Sequence, residues 1–252
     1  MKVEATEVSR VLRDWLGHQR WYAGKSRTGT VQARLLATLA ERPQLVQIWL
    51  ADVSYAEGVE HYQVPLVMRT EPVEQLSHAL VGSVPDADGG PPIELYDALH
   101  DKEVTGLWLQ AIAEQSTVDG VSFVRVVAAD EIPLRATSLA LSGEQSNTSL
   151  VFDDTAILKV FRRLEAGLNP DIEVHAALGK LGGRHVAKLM GHVSAELDSD
   201  VWSLAMLQEF MTTASDGWQL ATTSVRDLMA EADLHADEAG GDFAGEAHRL
   251  GV

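Results

Sequence analysis

Residues 156–161 read AILKVF, and the lysine in the middle of this hexapeptide is the first side chain whose setting asks for chemistry. As a strand, the segment alternates Ile157, Lys159 and Phe161 on one face with Ala156, Leu158 and Val160 on the other. A cation in so apolar a strand is costly to bury unless an anion meets it, or unless it snorkels to water from a sheet edge. Two neighbouring segments supply reasons for an anion. Upstream, SGEQSNTS at 142–149 is a polar loop able to hold phosphates through backbone N–H groups, with hydroxyls of Ser146, Thr148 and Ser149 as added donors. Ser142, Gly143, Gln145 and Asn147 complete that candidate set. Downstream, Glu173 lies near the start of a helix opened by Pro170, where a carboxylate also gains about 0.3–1 kcal/mol from the helix dipole. Glu173 is therefore the candidate partner of Lys159.

The order of elements sharpens this reading. Strand, polar loop, strand, turn, strand with lysine, helix with glutamate, then two strands is the order of a protein-kinase N-lobe. In that frame LQEFM at 207–211 occupies the hinge, which holds adenine through backbone N–H and C=O groups. Gln208, Glu209, Phe210 and Met211 are candidates by location. A second kinase-like signal fails on spacing. HADEAGGDFAG at 235–245 contains His235-Ala236-Asp237 and Asp242-Phe243-Ala244, which look like the H-x-D and D-F-G motifs. The catalytic aspartate of a kinase is followed five residues later by a metal-binding Asn. Five residues after Asp237 comes Asp242, which the other half of the motif also needs. The stretch reads instead as a helix ending at Gly240-Gly241, with Asp242 capping the next. No catalytic residue and no metal ligand is assigned.

The elements that must position these groups follow from periodicity. TEVSRVLRDWLG at 6–17 spaces Val8, Val11, Leu12, Trp15 and Leu16 as one helical face. VQARLLATLA, QLVQIWLADVSY and EHYQVPLVMR read as strands of a small antiparallel sheet. GSVPDADGGPP at 82–92, with three Pro and three Gly, reads as a linker. A helix is expected over about 93–114 and a strand over 121–128. ATSLAL at 136–141, LVF at 150–152 and AILKVF form one run of strands. PDIEVHAALGKL is a helix closed by Gly182-Gly183. HVAKLMGHVS and VWSLAMLQEFM are two more strands, and Ser215 or Asp216 caps a last helix beginning GWQLATTSVRDLM.

Composition limits the partners. At 252 residues with 46% hydrophobic and 23% charged residues, the chain is ordinary for a folded soluble protein. The absence of cysteine removes disulfides, thiolate metal sites and a cysteine nucleophile, and the nine histidines show no metal-binding spacing. A net charge of −17 argues against nucleic acid, although a few local groups can still hold a small phosphorylated ligand. No apolar run is long enough to span a bilayer, and acids interrupt the N-terminus where a signal peptide would be apolar, which points to the cytoplasm.

The segment 142–179, together with HQRWYAGKSR near the start and residues 213–251, closely resembles actinobacterial maltokinases, aminoglycoside-phosphotransferase-like members of the kinase superfamily. The resemblance covers nearly the whole chain. It implies an α+β fold: a protein-kinase-like N-lobe of antiparallel sheet plus helix, preceded by an α+β cap subdomain and followed by the start of a helical C-lobe. The cap, the intermediate subdomain and the hinge with early C-lobe would span 1–90, 91–206 and 207–252. The implied reaction is phosphorylation of maltose on its anomeric hydroxyl, with ATP and Mg²⁺, to maltose 1-phosphate for α-glucan synthesis. Residues 142–149 then match the phosphate loop, Lys159 the phosphate-contacting lysine and Glu173 its helix partner. In the family hallmark WYAGK, Trp21 and Tyr22 are expected to pack rather than to hold a sugar, whereas Lys25 and Arg27 could face a ligand.

The family's H-G-D-L-H catalytic loop and D-F-E-G metal motif do not occur in this sequence. The expectation is therefore an N-terminal portion of the enzyme, inactive alone, with an exposed C-lobe docking surface that promotes self-association. Two alternatives stay open. One is a kinase for glucosamine or another small molecule; the other is a non-catalytic nucleotide-sensing or interaction module.

Overall fold

The computed structural model describes residues 1–141, 146–182, 186–212, 217–230, 245, 247 and 248. Residues 1–210 form one compact unit and 211–252 a second.

The first unit opens with helix α1 (Ala5–Leu16), which buries Val8, Val11, Leu12 and Leu16, the face expected from their spacing. Strands β1 (Thr30–Ala40), β2 (Leu45–Tyr55) and β3 (Gly58–Arg69) follow as an antiparallel meander. Strands β4 (Leu80–Val84) and β5 (Ile93–Asp97) extend that sheet in the order β1-β2-β3-β5-β4. The pleat sorts its side chains. Trp49, Ala51 and Val53 of β2, with Tyr62, Val64, Leu66 and Met68 of β3, pack under α1. Val46, Ile48, Leu50 and Val67 point to the other side, into a larger core. Each such fully buried aliphatic side chain contributes roughly 1.5–3 kcal/mol.

Two expectations are corrected here. Residues 82–92 are not a linker between domains; they run from β4 into β5, two paired strands of one sheet. Residues 93–97 are not helical either. Leu95 and Leu99 stand four apart, which suggested a helix, but Ile93 and Leu95 point into the α1 core while Tyr96 points into the other, a period of two. Helix α2 is confined to Gly106–Glu114.

The larger core lies between the first sheet and a second. Strands β6 (Thr117–Val118), β7 (Val121–Arg125), β8 (Ser138–Ala140), β9 (Asn147–Phe152), β10 (Ala156–Phe161), β12 (Leu189–Leu197) and β13 (Asp200–Glu209) form it in the order β6-β7-β12-β13-β10-β9-β8. All its pairs are antiparallel. Short β11 (Arg163–Leu164), directly after β10, leaves this sheet and pairs with β3 of the first. Buried Gln63 of β3 reinforces the seam, its Nε2 donating to the carbonyls of Phe161 and Leu204 at 3.0 Å each. Helix α3 (Pro170–Lys180) is capped by Asn169, whose side chain accepts the Asp171 N–H at 2.9 Å, with Pro170 as the first helical residue. Beyond its end Gly182 adopts φ +71°, the left-handed conformation that closes a helix and that a glycine reaches without a Cβ penalty; Gly183 lies outside the described residues.

The second unit contains helix α4 (Gly217–Ala230). Trp218 and Met229 on it are exposed. Its expected caps, Ser215 and Asp216, and the stretch 235–244 lie outside the described residues. Among the described residues no helix is long and apolar enough to cross a membrane.

Candidate functional site

Lys159 sits in the interior of the second sheet, in β10 between β9 and β13. Antiparallel register places Ser149 directly opposite it on one side and Met206 on the other, with His192 of β12 opposite Met206. Side chains paired in this way share a face. The Lys159 face therefore carries Asn147, Ser149, Ile157, Phe161, Met206, Gln208 and His192, and α3 packs against β12 beside it. Ser149, Met206 and the apolar flanks are buried, whereas the lysine keeps partial access to solvent. The cation is thus neither an edge-strand snorkel nor sealed away.

Its partner differs from the one expected. The Lys159 Nζ donates to Asp171 Oδ2 at 3.2 Å, and Glu173 is exposed. Helix phase explains the difference. Two residues along an α-helix turn the side chain by about 200°, so Asp171 and Glu173 cannot face the same strand. Asp171 also accepts from His175, whose Nδ1 lies 2.8 Å from the Asp171 carbonyl and 3.4 Å from Oδ1. The carboxylate at the helix N-terminus is thereby held between two side chains and the dipole.

The loop residues divide by the pleat. Asn147 and Ser149 lie on the Lys159 face, but Thr148 pairs opposite Val160 and faces the other way. Its hydroxyl accepts from Arg162 Nε at 2.8 Å, so the expected role of Thr148 as a phosphate donor is not supported. Ser146 is exposed at the loop's end, its carbonyl accepting the Arg162 N–H at 3.3 Å. Ser142, Gly143 and Gln145 lie outside the described residues.

At the far end of β13 the hinge candidates are partly committed. The Glu209 N–H donates to Lys188 O at 2.9 Å and the Phe210 N–H to Thr155 O at 3.0 Å, so neither backbone donor is available to a base. Gln208 points its side chain onto the Lys159 face, and Met211 is exposed. Beside this strand end a groove of about 1000 Å³ runs under α3, lined by Ile172, His175, Leu189, His192, Lys188 and Glu209 among others. Burial pushes the His192 imidazole below its ordinary pKa. No group of three or more His, Asp or Glu able to hold a metal occurs among the described residues, so the expected Mg²⁺ is given no ligand here.

One network was missed by sequence reasoning. Arg162, three residues after Lys159, is fully buried on the opposite face. Its Nη2 bonds Asp97 at 2.5 Å, its Nε bonds Thr148, and its guanidinium lies 4.9 Å from the Trp21 ring centre. The signal was present: Leu158, Val160 and Arg162 alternate on the inward face of the strand. The WYAGK segment converges on this network. Trp21 is buried, packing against Trp15 and Tyr62 at 5.7 and 5.9 Å between ring centres. The Tyr22 and Tyr55 hydroxyls bond each other at 2.8 Å, and a Cβ at Gly24 would stand 1.9 Å from the Tyr55 oxygen, which only glycine avoids. Of the two cations that could face a ligand, Arg27 lies over Tyr55 and pairs with Glu60 at 2.6 Å, while Lys25 is exposed. Burial raises the Glu60 carboxyl, but hydrogen bonds from Arg27 and Tyr62 and the nearby Arg163 outweigh it and hold it below the usual range.

Residues 15–101 match the family model of the maltokinase N-terminal cap domain, a span that takes in strands β1–β5 of the first sheet. Among solved structures, the chain is similar to a glucosamine kinase in complex with glucosamine, ADP and inorganic phosphate, at 17% identity and a TM-score of 0.52. That match covers 94% of this chain and 48% of the other. A second glucosamine kinase structure matches at 18% identity with a TM-score of 0.55, over 94% and 47%. The chain thus spans about half the length of these structures. At this identity the likeness establishes the fold, which is kinase-like and is joined here to a maltokinase-type cap.

Proposed function

We propose that this chain supplies the cap and the nucleotide-binding lobe of a sugar kinase, with ATP bound on the Lys159 face. The observation that carries the reading is Lys159 itself: a cation on an interior strand of an apolar sheet, kept partly accessible and held by Asp171 at a helix start. A phosphate arriving at that face gains a charge-assisted hydrogen bond from an ammonium already partly desolvated and oriented by Asp171. Asn147 and Ser149 add polar groups on the same face. In the proposed reaction the acceptor hydroxyl oxygen attacks the terminal phosphorus, the bond to the bridging oxygen breaks, and ADP departs. The role of this chain is to bind and neutralise the phosphates, the positioning that dominates such reactions. Mg²⁺ would neutralise further charge on the phosphates. No described residue is assigned as the base that takes the hydroxyl proton.

Maltose, giving maltose 1-phosphate for α-glucan synthesis, is the acceptor we favour, because the cap is of the maltokinase kind. Glucosamine or a similar amino sugar is the second reading, favoured by the glucosamine kinases that share the fold. We place the protein in the cytoplasm and expect the exposed apolar residues of α4, Trp218 and Met229, to promote self-association. Calorimetric titration with ATP and Mg²⁺, beside ADP release measured with maltose and with glucosamine, tests the proposal. Saturable ATP binding lost in Lys159→Ala supports it. A folded chain that ignores nucleotide would overturn it and favour a pure interaction module.

A further inference from the structure

Strand pairing arranges the Lys159 face in rows. One row runs His192, Met206, Lys159, Ser149; the next runs Leu189, Gln208, Ile157, Val151. Three members of the second row are apolar and buried, at 6% exposure for Leu189, 7% for Ile157 and 5% for Val151. Gln208 stands among them, and its Oε1 is buried without a hydrogen-bond partner. Buried polar atoms in folded proteins are nearly always paired, so an amide oxygen left alone here calls for a partner from outside the chain. The backbone does not offer an alternative at this place, because the Glu209 and Phe210 N–H groups already serve Lys188 and Thr155.

We propose that the Gln208 side chain reads the base of the bound nucleotide, its Oε1 accepting the exocyclic amine of adenine. The inference rests on the nucleotide reading given above and deepens it. Ile157 and Val151 continue the row as an apolar floor for a flat ring, while the neighbouring row, about 7 Å along the strands, brings Lys159 to the phosphates. A group that is buried, unpaired and set in an apolar row recognises one polar edge of a ligand and excludes water from it. Guanine presents a carbonyl at the corresponding ring position, so it meets the glutamine oxygen as acceptor against acceptor. The amide must turn over to receive it.

The test changes the ligand as well as the protein. The full 252-residue chain is titrated with ATP, with GTP and with the triphosphate of unsubstituted purine riboside, which lacks the amine, all with Mg²⁺. Wild type, Gln208→Met and Lys159→Ala are compared, and thermal melting checks that each is folded. Wild type is expected to bind ATP roughly tenfold more tightly than the unsubstituted purine nucleotide and to rank GTP below ATP. Gln208→Met is expected to bind ATP and the unsubstituted purine nucleotide alike. Wild type binding those two equally overturns the proposal, and so does a Gln208→Met variant that keeps the preference for ATP. In both cases an ATP affinity that still depends on Lys159 leaves the nucleotide reading standing. Failure of every nucleotide to bind wild type removes both.

Discussion

Lys159 and Arg162 are two cations three residues apart at the end of one strand, and they meet opposite fates. Arg162 faces the cap and is fully buried, with a carboxylate, a hydroxyl and an indole around it. Lys159 faces the other way, keeps access to solvent and has one carboxylate, itself partly exposed. A fully buried ion pair is a structural commitment, because losing either member strands the other charge, whereas a partly exposed one can exchange its partner for a ligand at small cost. The contrast separates a face that joins the two sheets from a face whose cation keeps access to solvent.

The sharpest way to break the contrast is at Arg162. Arg162→Ala leaves Asp97 charged and unpaired in the interior and is expected to cost about 3–5 kcal/mol in denaturant unfolding. Replacing both members, Arg162→Met with Asp97→Leu, is expected to recover most of that loss, because no lone charge remains. Lys159→Ala should do the reverse. It is expected to change stability by less than about 1 kcal/mol, yet to weaken ATP binding roughly tenfold to a hundredfold by calorimetry. Thr148→Val distinguishes the faces within β9. It should lower stability by about 1–3 kcal/mol by unpairing Arg162 Nε, and leave ATP affinity unchanged.

Smaller effects refine the Lys159 side. Asp171→Asn is expected to shift unfolding by under about 1 kcal/mol, while Glu173→Gln, exposed on the other side of the helix, changes nothing measurable. Reversal of that order would reinstate Glu173 as the lysine's partner. A further small effect concerns His100, beside Asp97. Burial pushes its imidazole below the ordinary 6.5, so the unfolded chain binds a proton more readily than the folded one. Stability from this group is therefore complete above about pH 6.5 and declines as the pH falls below that value. His100→Gln should flatten the corresponding slope in thermal melts recorded across that range.

Much of this arrangement could be read from residue order, and the exceptions have physical reasons. The alternation in AILKVF identified the lysine's face, and the spacing of Val8, Val11, Leu12 and Leu16 identified the buried side of α1. Proline and glycine density in 82–92 announced a turn, but such signals do not say whether the strands on either side belong to one sheet. The polar residues Asn147, Thr148 and Ser149 were read as loop, although they are paired strand whose pleat sends Thr148 to one face and its neighbours to the other. Choosing between Asp171 and Glu173 required the rotational phase of α3 against β10, which depends on tertiary packing. Arg162 was overlooked because a second arginine follows it and the pair looks like a charged turn. Only the phase inherited from Leu158 and Val160 marks it as buried.

The strand β11 also bears on how the chain is made. The hydrogen bonds that join the sheets link residues 98 and 141 positions apart in sequence, from Gln63 to Phe161 and to Leu204. Contacts so distant are slow to close, since the loop entropy is lost before any of them forms. During synthesis the cap strands leave the ribosome first and must hold the face carrying Val46, Ile48 and Leu50 uncovered until β9 to β13 arrive. The first sheet is then the early template on which the second sheet assembles. Its exposed face is the time at which this protein is most prone to wrong association.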